Sequence, residues 1–382
     1  MTSLRPVLMD LLERGAPEPD HSDLSFRPVF ILAPRSHLGT MFTEGVIANI
    51  PNVIAVIDDF STEDAIFGVP RWSVYEFTAN ADKHANSIAL DFSVGTFSAS
   101  MFKAVCAQAG VERRDFVTAH GQFGLPSVYE TASAYRASTL ERIDDFIALE
   151  NRLADQASRE TLYGMLLFRL TYDRSNINDI FFGTAEEYFS DSKAGKTFVL
   201  GDNEYFCDCG AHQGTIIARF LGATDWKYDG IAAFEPDRKN FRALQKYCLL
   251  PLKNLKFVNK ALSNQHETLR FVETGTMSSY VSDNGNVSVD TTRLDDELDR
   301  LTFLKMDIEG YEARTLRGGA NLIQKFRPRM AIAAYHYATD MLDIVNTIDE
   351  LAPGYCIRLR QHFNFYYDSI LYASPATGWE PT

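Results

Sequence analysis

The segment FCDCGAHQG, residues 206–214, joins an apolar run to a loop with two glycines and then to a helical pattern. A buried strand that turns sharply into a helix begins an α/β unit, so this segment constrains the fold of the C-terminal half of the chain. The residues of this segment are compatible with two functions. The paired cysteines are compatible with metal or redox chemistry, and the glycines are compatible with a loop that holds a small-molecule cofactor.

The cysteine pattern of the chain argues against the metal interpretation. A structural zinc site takes four ligands, and Cys207, Cys209 and His212 would lack a fourth. The sequence contains no CxxC motif and no second CxC motif. We therefore predict that the cysteines pack as small buried hydrophobic residues: Cys106, Cys207, Cys209, Cys248 and Cys356.

The glycine loop indicates a cofactor that contains a ribose. Gly210 and Gly214 permit positive φ, and the helix that follows presents unpaired N–H groups. Glu235 ends the next predicted strand about 20 residues further on, where an acidic side chain accepts hydrogen bonds from ribose hydroxyls. The order Asp-x-Gly-Ala-x-x-Gly, with Asp208 and Ala211, differs from the G-x-G-x-x-G of nicotinamide sites, and its leading carboxylate suits an ammonium group. S-adenosylmethionine has both a ribose and an amino acid, so it is the predicted cofactor.

A second group of ionisable residues follows the apolar run TFLKM, residues 302–306. Lys305, Asp307 and Glu309 lie at its carboxyl end, the edge at which open α/β sheets bind ligands. The run RMAIAAYH places Tyr335 and His336 at the end of the neighbouring strand. Histidine has a pKa suited to general-base catalysis near neutral pH. We predict His336 as the first candidate for the base, then Asp307 or Glu309, with Lys305 orienting or neutralising a carboxylate.

Four motifs in order, DCGAHQG, AFEP, KMDIEGYE with the following LRGG, and RPRMAIAAYH, resemble the FkbM family of S-adenosylmethionine-dependent methyltransferases. The similarity extends from about residue 198 to residue 373, and EEYF, residues 186–189, is also similar to longer bacterial members. The resemblance implies a seven-stranded methyltransferase sheet and transfer to hydroxyls of sugars, lipids or polyketide-like molecules. It implies that the cofactor loop is formed by Asp208, Gly210, Ala211 and Gly214. It implies that Glu235 is the ribose ligand, and that the signature beside the transferred methyl group consists of Lys305, Asp307, Glu309 and Gly310.

The chain is predicted to contain two α/β domains. The apolar runs VFILA, VIAVIDD, SIALDF and DFVTA, with helical patterns between them, predict a smaller Rossmann-like domain over residues 28–132. Residues 1–27 form an N-terminal segment, and helical spacing predicts a connector over residues 133–193. The methyltransferase domain is predicted over residues 194–382, where the last strands pair without an intervening helix and so form an antiparallel edge.

The first domain leaves other functions open. Its opening, VFILAPRSHLGT followed by IDD, is compatible with an NAD(P)-dependent sugar-modifying oxidoreductase or epimerase. Its first turn contains only Gly39, however, where a pyrophosphate site has three glycines. A further alternative concerns the second domain, which would keep its cofactor loop but serve only as a non-catalytic sensor or partner platform.

Charge and hydropathy limit the partners. The formal net charge is −14 and no run of Lys and Arg stands out, which argues against nucleic acid. No stretch of about 20 apolar residues occurs, so no membrane span is expected. We therefore predict a soluble, cytoplasmic enzyme that acts on a small-molecule or glycan acceptor. Asp307 and Glu309 offer oxygen ligands for a divalent cation, but no further ligand set is visible, so no metal is predicted.

Overall fold

The computed structural model describes residues 3–84, 86–126, 128–178, 180–189, 199–247, 252–275 and 279–376. The chain divides into two compact units. The first unit comprises Met1–Leu140 and Gly164–Asn178, and the second comprises Glu141–Tyr163 and Asp179–Thr382. Each unit is built around a sheet of its own.

The first unit begins with a helix and then alternates strands with helices, in chain order: α1 (Arg5–Glu13), β1 (Val29–Leu32), α2 (His37–Asn49), β2 (Val53–Ile57), β3 (Ala65–Ile66), β4 (Val69–Trp72), α3 (Val74–Asn80), β5 (Ile88–Asp91), α4 (Thr96–Ala109), β6 (Glu112–Asp115) and α5 (Phe116–Ala119). The six strands form one sheet in the order β3-β4-β2-β1-β5-β6, and all neighbours are parallel except β3 and β4. Strands β1 and β5 are buried along their whole length, as expected for central parallel strands. This confirms the predicted Rossmann-like α/β sheet.

The predicted strand at DFVTA is wrong. Strand β6 is the polar segment just before it, and the apolar run forms helix α5. The carboxylate of Asp115 caps this helix, since it accepts a hydrogen bond from the Val117 N–H at 3.0 Å. Because β6 lies at the edge of the sheet and its side chains are partly exposed, it needs no apolar run, and Phe116 and Val117 are buried on the helix instead.

The segment predicted as a connector is helical, with α6 (Ala132–Glu141), α7 (Ile143–Leu149), α8 (Gln156–Thr171) and α9 (Ser175–Asn178). Its residues are shared between the two units. The chain enters the second unit at Glu141, returns to the first at Gly164 and leaves it after Asn178. The predicted boundary at residue 194 lies outside the described residues, and the four predicted domain ranges stay predictions.

The second unit continues, in chain order, with β7 (Tyr205–Cys209), α10 (Thr215–Ala223), β8 (Gly230–Phe234), α11 (Arg238–Tyr247), β9 (Leu255–Val258), β10 (Ala261–Leu262), β11 (Thr268–Val272), β12 (Tyr280–Val281), β13 (Val287–Thr292), α12 (Leu294–Glu297), β14 (Phe303–Met306), α13 (Glu312–Gly318), α14 (Ala320–Phe326), β15 (Arg329–Ala333), α15 (Asp340–Leu351), β16 (Tyr355–Gln361) and β17 (Ser369–Pro375). Seven of these strands form a sheet in the order β16-β17-β15-β14-β7-β8-β9. Strand β17 is antiparallel to both β15 and β16. The seven-stranded sheet with an antiparallel edge is therefore confirmed.

A second, four-stranded sheet in this unit has the order β10-β13-β11-β12. Its short apolar core is formed by Ala261, Phe271 and Val289. Strands β12 and β13 were not predicted, because segments such as VSVDTT alternate polar with apolar residues over only a few positions. Among the described helices of both units, none has the length and apolar character that a membrane crossing requires.

Candidate functional site

The strand order places the two sequence motifs at one edge of the seven-stranded sheet. Strands β15, β14, β7 and β8 are parallel neighbours, and Cys209 at the end of β7 pairs with Met306 of β14 and with Phe234 of β8. The residues that follow these strand ends are therefore close in space. They include residues 210–214 after β7, which we call the glycine loop, and residues 307–310 after β14, which we call the Asp307 segment. Glu235 follows β8, and Tyr335 and His336 follow β15.

The glycine loop packs tightly against the end of β14. Gly210 has a φ of 78°, and a β-carbon at this position would overlap the backbone carbonyl of Asp307. The N–H groups of Gly210 and Ala211 donate to the Phe234 carbonyl at 3.0 and 2.9 Å. Gly214, with a φ of 94°, begins helix α10 without a side-chain cap. The loop is thus held at both flanking strands, and no side chain among the described residues caps the N-terminus of α10.

Glu235 ties the tip of β8 to the glycine loop. Its carboxylate accepts hydrogen bonds from the backbone N–H of His212 at 2.8 Å and from that of Asp237 at 2.9 Å. Burial raises the pKa of Glu235 to about 7, although the two N–H donors oppose the shift. The side chain is 6% exposed. Its role as the ribose ligand stays a prediction.

Asp208 lies within β7, directly behind the loop, and is fully buried. The cation beside it is Lys305, whose Nζ lies 3.2 Å from Asp208 Oδ1. Lys305 also donates to the Gly210 carbonyl at 2.8 Å. Burial alone would lower the pKa of Lys305, but Asp208 and Asp307 raise it above its usual value. Asp208 and Lys305 therefore form a buried ion pair, and Lys305 also binds the glycine loop. In the structure, the ammonium group that pairs with Asp208 is that of Lys305.

His336 is surrounded by carboxylates. Its Nε2 atom lies 3.3 Å from Asp307 Oδ1 and 3.5 Å from Glu309 Oε2, and its Nδ1 atom lies 3.3 Å from Glu312 Oε1. The imidazole is 1% exposed, whereas the carboxylates of Asp307 and Glu309 are 25% and 26% exposed. Burial would lower the pKa of His336, but Glu312, Asp307 and Glu309 together raise it well above its usual value. In this state His336 is an imidazolium behind two partly exposed carboxylates.

Asp307 is held in its ionised form. Burial opposes ionisation, but His336 and Lys305 hold the pKa of Asp307 well below its usual range. Two tyrosine hydroxyls also face it: Tyr188 donates to Asp307 Oδ2 at 2.9 Å, and Tyr335 lies 3.3 Å from Oδ1. Glu309 has a φ of 63° and precedes Gly310, which has a φ of 90°. This left-handed pair turns the chain after β14, so that Asp307 and Glu309 both approach His336.

Sequence reasoning missed two residues of this group. Glu312 is buried beside His336, and its Oε1 accepts a hydrogen bond from the Ile308 N–H at 2.8 Å. Tyr188 belongs to the motif EEYF, for which no role was predicted. The spacing of the glutamates in KMDIEGYE is a usable signal for Glu312, whereas only the tertiary structure brings Tyr188 to Asp307.

Several more carboxyl groups lie around this cluster. Burial raises the pKa of Glu187 to about 8, with help from Asp368 and Asp307. Burial also raises the pKa of Asp340 and of Asp368 to about 7, with Glu312 acting on the first and Asp307 on the second. One ligand atom each from Asp307, Glu312 and His336 lie within 4.8 Å of one another, so these three side chains have the spacing of a divalent-cation site.

The two cysteines of the loop strand pack in the core, as predicted. Cys207 and Cys209 are fully buried, and their sulfur atoms lie 3.5 Å apart on the same face of β7. Burial raises the pKa of the Cys207 thiol well above its usual value, so it is an inert packing group. Cys106 is also buried, Cys356 is partly exposed, and Cys248 lies outside the described residues.

A seven-stranded sheet of this order, with a glycine loop after β7 and ionisable groups after β14, is typical of the Rossmann-like methyltransferase fold. Residues 208–355 match the family model of the methyltransferase FkbM domain. A solved structure of methyltransferase FkbM from Methylobacillus flagellatus KT is 26% identical, has a TM-score of 0.80, and is aligned over 97% of this chain and 98% of that chain. Residues 208–355 therefore match the FkbM methyltransferase domain, and the four motifs that predicted this resemblance lie within or close to that range.

Two other solved structures are similar over a smaller part of the chain. An rRNA methylase from Streptococcus thermophilus is 15% identical over 46% of this chain and 89% of its own, with a TM-score of 0.31. Fibrillarin from Aeropyrum pernix, with natively bound S-adenosyl-L-methionine, is 12% identical over 46% of this chain and 68% of its own, also with a TM-score of 0.31. No curated protein matches the chain.

Proposed function

We propose that this enzyme transfers a methyl group from S-adenosylmethionine to a hydroxyl of a small molecule or glycan, with a sugar, a glycolipid or a polyketide-like compound as the acceptor class. One observation carries the proposal. The glycine loop and the Asp307 segment are packed so closely that Gly210 has no room for a side chain against the Asp307 carbonyl. A cofactor on the loop and an acceptor at Asp307 would thus be adjacent. Cytoplasmic location stays a prediction.

The donor set of the loop fits this cofactor. The uncapped N-terminus of α10 after Gly214 offers backbone donors, and Glu235 offers a carboxylate for ribose hydroxyls. His212 is a further candidate contact, since its Nε2 atom is buried and has no hydrogen-bond partner among the described residues. In this arrangement the backbone at Gly210, Ala211 and Gly214 has room to approach the cofactor closely. Asp208 does not contact the cofactor directly but acts through Lys305.

The largest contribution of the chain to methyl transfer is alignment. When bound, S-adenosylmethionine supplies an electrophilic methyl group for an in-line displacement by oxygen. The loop and the Asp307 segment would hold donor and acceptor in fixed positions, an effect that is worth about 7 to 11 kcal/mol in well-oriented reactions. The buried rings of Tyr188 and Tyr335 exclude water from one side of Asp307.

The proton of the acceptor hydroxyl must also leave. Asp307 and Glu309 are the members of the cluster that solvent reaches, so the hydroxyl would meet these carboxylates before it meets His336. His336 is protonated by its surroundings, which argues against its predicted place as first candidate for the base. We therefore assign proton acceptance to the Asp307 and Glu309 carboxylates, and to His336 the role of positioning them. A base of this kind contributes roughly 10²- to 10⁴-fold.

The function is tested by incubating the protein with methyl-labelled S-adenosylmethionine and a panel of glycosides, glycolipids and hydroxylated macrolides. Label in a product that loses it on O-demethylation supports the proposal. Binding of S-adenosylhomocysteine without label transfer to any panel member would favour a non-catalytic module. Reduction of NAD or NADP by a panel member would instead favour the oxidoreductase alternative.

Once an acceptor is known, single-turnover rates assign the roles. We expect Asp307→Asn and Glu309→Gln to slow methyl transfer by about 10²-fold or more, because each removes a proton-accepting carboxylate. Asp299→Asn is the matched control, since Asp299 is exposed and precedes β14 at the opposite end of the same strand. If Asp307→Asn, Glu309→Gln and His336→Ala all keep the full rate, the assigned chemistry is wrong.

A further inference from the structure

The six-stranded sheet of the first unit has a reversal in its strand order. From β1 the chain builds β2 and β4 on one side, and then returns to build β5 and β6 on the other. In open α/β sheets, ligands bind outside the carboxyl ends of the strands at such a point. The position in this unit is the crevice between the carboxyl ends of β1 and β5.

Two helices begin at this crevice. Helix α2 follows β1 and has 13 residues, with Ser36 as its N-cap. The Ser36 hydroxyl donates to the Phe92 carbonyl, just after β5, at 2.6 Å, so the start of α2 is joined to the end of β5. Helix α4 follows β5 and has 14 residues, and its N-cap, Gly95, supplies no side-chain cap. Both helix dipoles therefore present their positive ends at the same place.

A second observation is independent of the helices. Ser93, next to Phe92, is 1% exposed, and its Oγ atom has no hydrogen-bond partner among the described residues. Arg174 is 6% exposed, and its Nη1 atom is likewise without a partner in the part of the chain that the structure describes. The two residues touch, since Arg174 Nη2 donates to the Ser93 carbonyl at 2.9 Å. Buried donors without partners are costly and therefore indicate a group that completes them.

The local charges are compatible with an anion. The strand-end carboxylates are each bonded to a guanidinium: Asp91 to Arg113, and Asp115 to Arg174. Arg174 uses its Nε and Nη2 atoms for Asp115, which leaves Nη1 for a ligand. Phe97, in the first turn of α4, is an aromatic residue that is 83% exposed.

We infer that the first unit binds a nucleoside diphosphate at this crevice. The phosphates bind at the N-termini of α2 and α4 and contact the Ser93 hydroxyl and Arg174 Nη1. The base stacks on Phe97. Gly39 plays a different part from the glycines of a nicotinamide site: a β-carbon there would overlap the Ala33 carbonyl, so Gly39 lets α2 pack against the end of β1. The inference rests on the first unit alone and does not depend on the proposed methyl transfer.

Isothermal titration of the full chain with inorganic pyrophosphate, UDP and ADP tests the inference, with S-adenosylhomocysteine at saturation to occupy the second unit. We expect UDP or ADP to bind more tightly than pyrophosphate, and Ser93→Ala to weaken every arm by about tenfold or more. Because the Ser93 hydroxyl has no partner among the residues that the structure describes, the same variant should unfold at the same denaturant concentration as the parent, or higher. Phe97→Ala should weaken only the nucleotide arms.

Ser73→Ala is the matched control. Ser73 caps α3 through a capping box after β4, so its loss should lower stability and leave ligand binding unchanged. Absence of binding by all three probes to the parent protein overturns the inference. Equal affinities of the parent and Ser93→Ala also overturn it, since the probe would then bind elsewhere.

Discussion

Lys305 and Asp208 face each other beneath the glycine loop, 3.2 Å apart from Nζ to Oδ1, and their side chains are 3% and 0% exposed. Neither oxygen of Asp208 has a hydrogen bond among the described residues, so Lys305 is the main compensation for its charge. The ammonium group of Lys305 also donates a hydrogen bond to the Gly210 carbonyl. The pair therefore links the ends of β7 and β14, and Lys305 also joins the glycine loop to them.

Breaking this pair should be costly. We expect Lys305→Met to lower the free energy of unfolding by about 3–5 kcal/mol, because Asp208 would be left buried without a counter-charge. Urea denaturation measures the change. In the control variant Lys227→Met, the pair with Asp202 is 3.8 Å long and exposed, and its loss should cost less than about 1 kcal/mol. Equal effects in the two variants would contradict the role given to Lys305, and the double variant Lys305→Met/Asp208→Leu should recover part of the loss.

The affinity for S-adenosylhomocysteine should depend on Glu235 and on pH. The ionised carboxylate of Glu235 accepts hydrogen bonds from ribose hydroxyls. Because the pKa of Glu235 is raised to about 7, this carboxylate becomes protonated near neutral pH and loses part of its capacity to accept them. We expect the dissociation constant to rise by about tenfold between pH 8 and pH 6. Glu235→Gln should bind more weakly at pH 8 and show little change with pH. A pH dependence that persists unchanged in Glu235→Gln would assign it to another group.

Gly210 should tolerate no side chain. In Gly210→Ala the new methyl group would overlap the Asp307 carbonyl, and the φ of 78° is unfavourable for alanine. We expect a loss of about 2–3 kcal/mol in stability together with loss of cofactor binding. Gly222→Ala is the control: Gly222 lies in helix α10 with open space around it, so alanine should stabilise the helix by about 0.5–1 kcal/mol. A Gly210→Ala protein as stable as the parent would mean that the loop is free to move.

His336 should make stability depend on pH above neutrality. Its pKa in the folded protein is well above the unfolded value of about 6.5, so the folded state keeps a proton that the unfolded state loses. Its contribution is therefore complete below about pH 6.5 and is lost as the pH rises toward the folded pKa, with a slope of up to about 1.4 kcal/mol per pH unit. Denaturant titrations between pH 6 and pH 9 measure this slope. We expect His336→Gln to be less stable at pH 6 and to show a flatter profile. The same slope in both proteins would mean that another group titrates.

The strands of the methyltransferase sheet were predictable because they are buried on both faces. Runs such as GIAAF and FLKM are nearly continuous apolar segments, and the glycine loop and Glu235 follow them at fixed spacing. Strand β6 was not found, because an edge strand buries little and its polar residues carry no such signal. Strand β13 of the small sheet is not an edge strand, since it lies between β10 and β11, but its six residues alternate polar with apolar side chains too briefly to give a signal.

The chemistry of the site was only partly predictable. The sequence places Asp307, Glu309 and His336 at neighbouring strand ends, but it does not show that Glu312 approaches Nδ1 of His336. That contact, with those of Asp307 and Glu309, turns a candidate base into a cation. A pKa depends on burial and on every charge within a few ångströms, and these come from residues that are far apart in the chain.

The chain passes between its two units three times, at residues 140, 163 and 178. Neither unit is a continuous segment, so no single cut in the gene yields both as independent pieces. Arg174, supplied by the returning segment, completes the ion pair with Asp115 only after the second unit has begun to be synthesised. The two units are consequently not exchangeable cassettes: recombination that replaces one at a single crossover would remove part of the other.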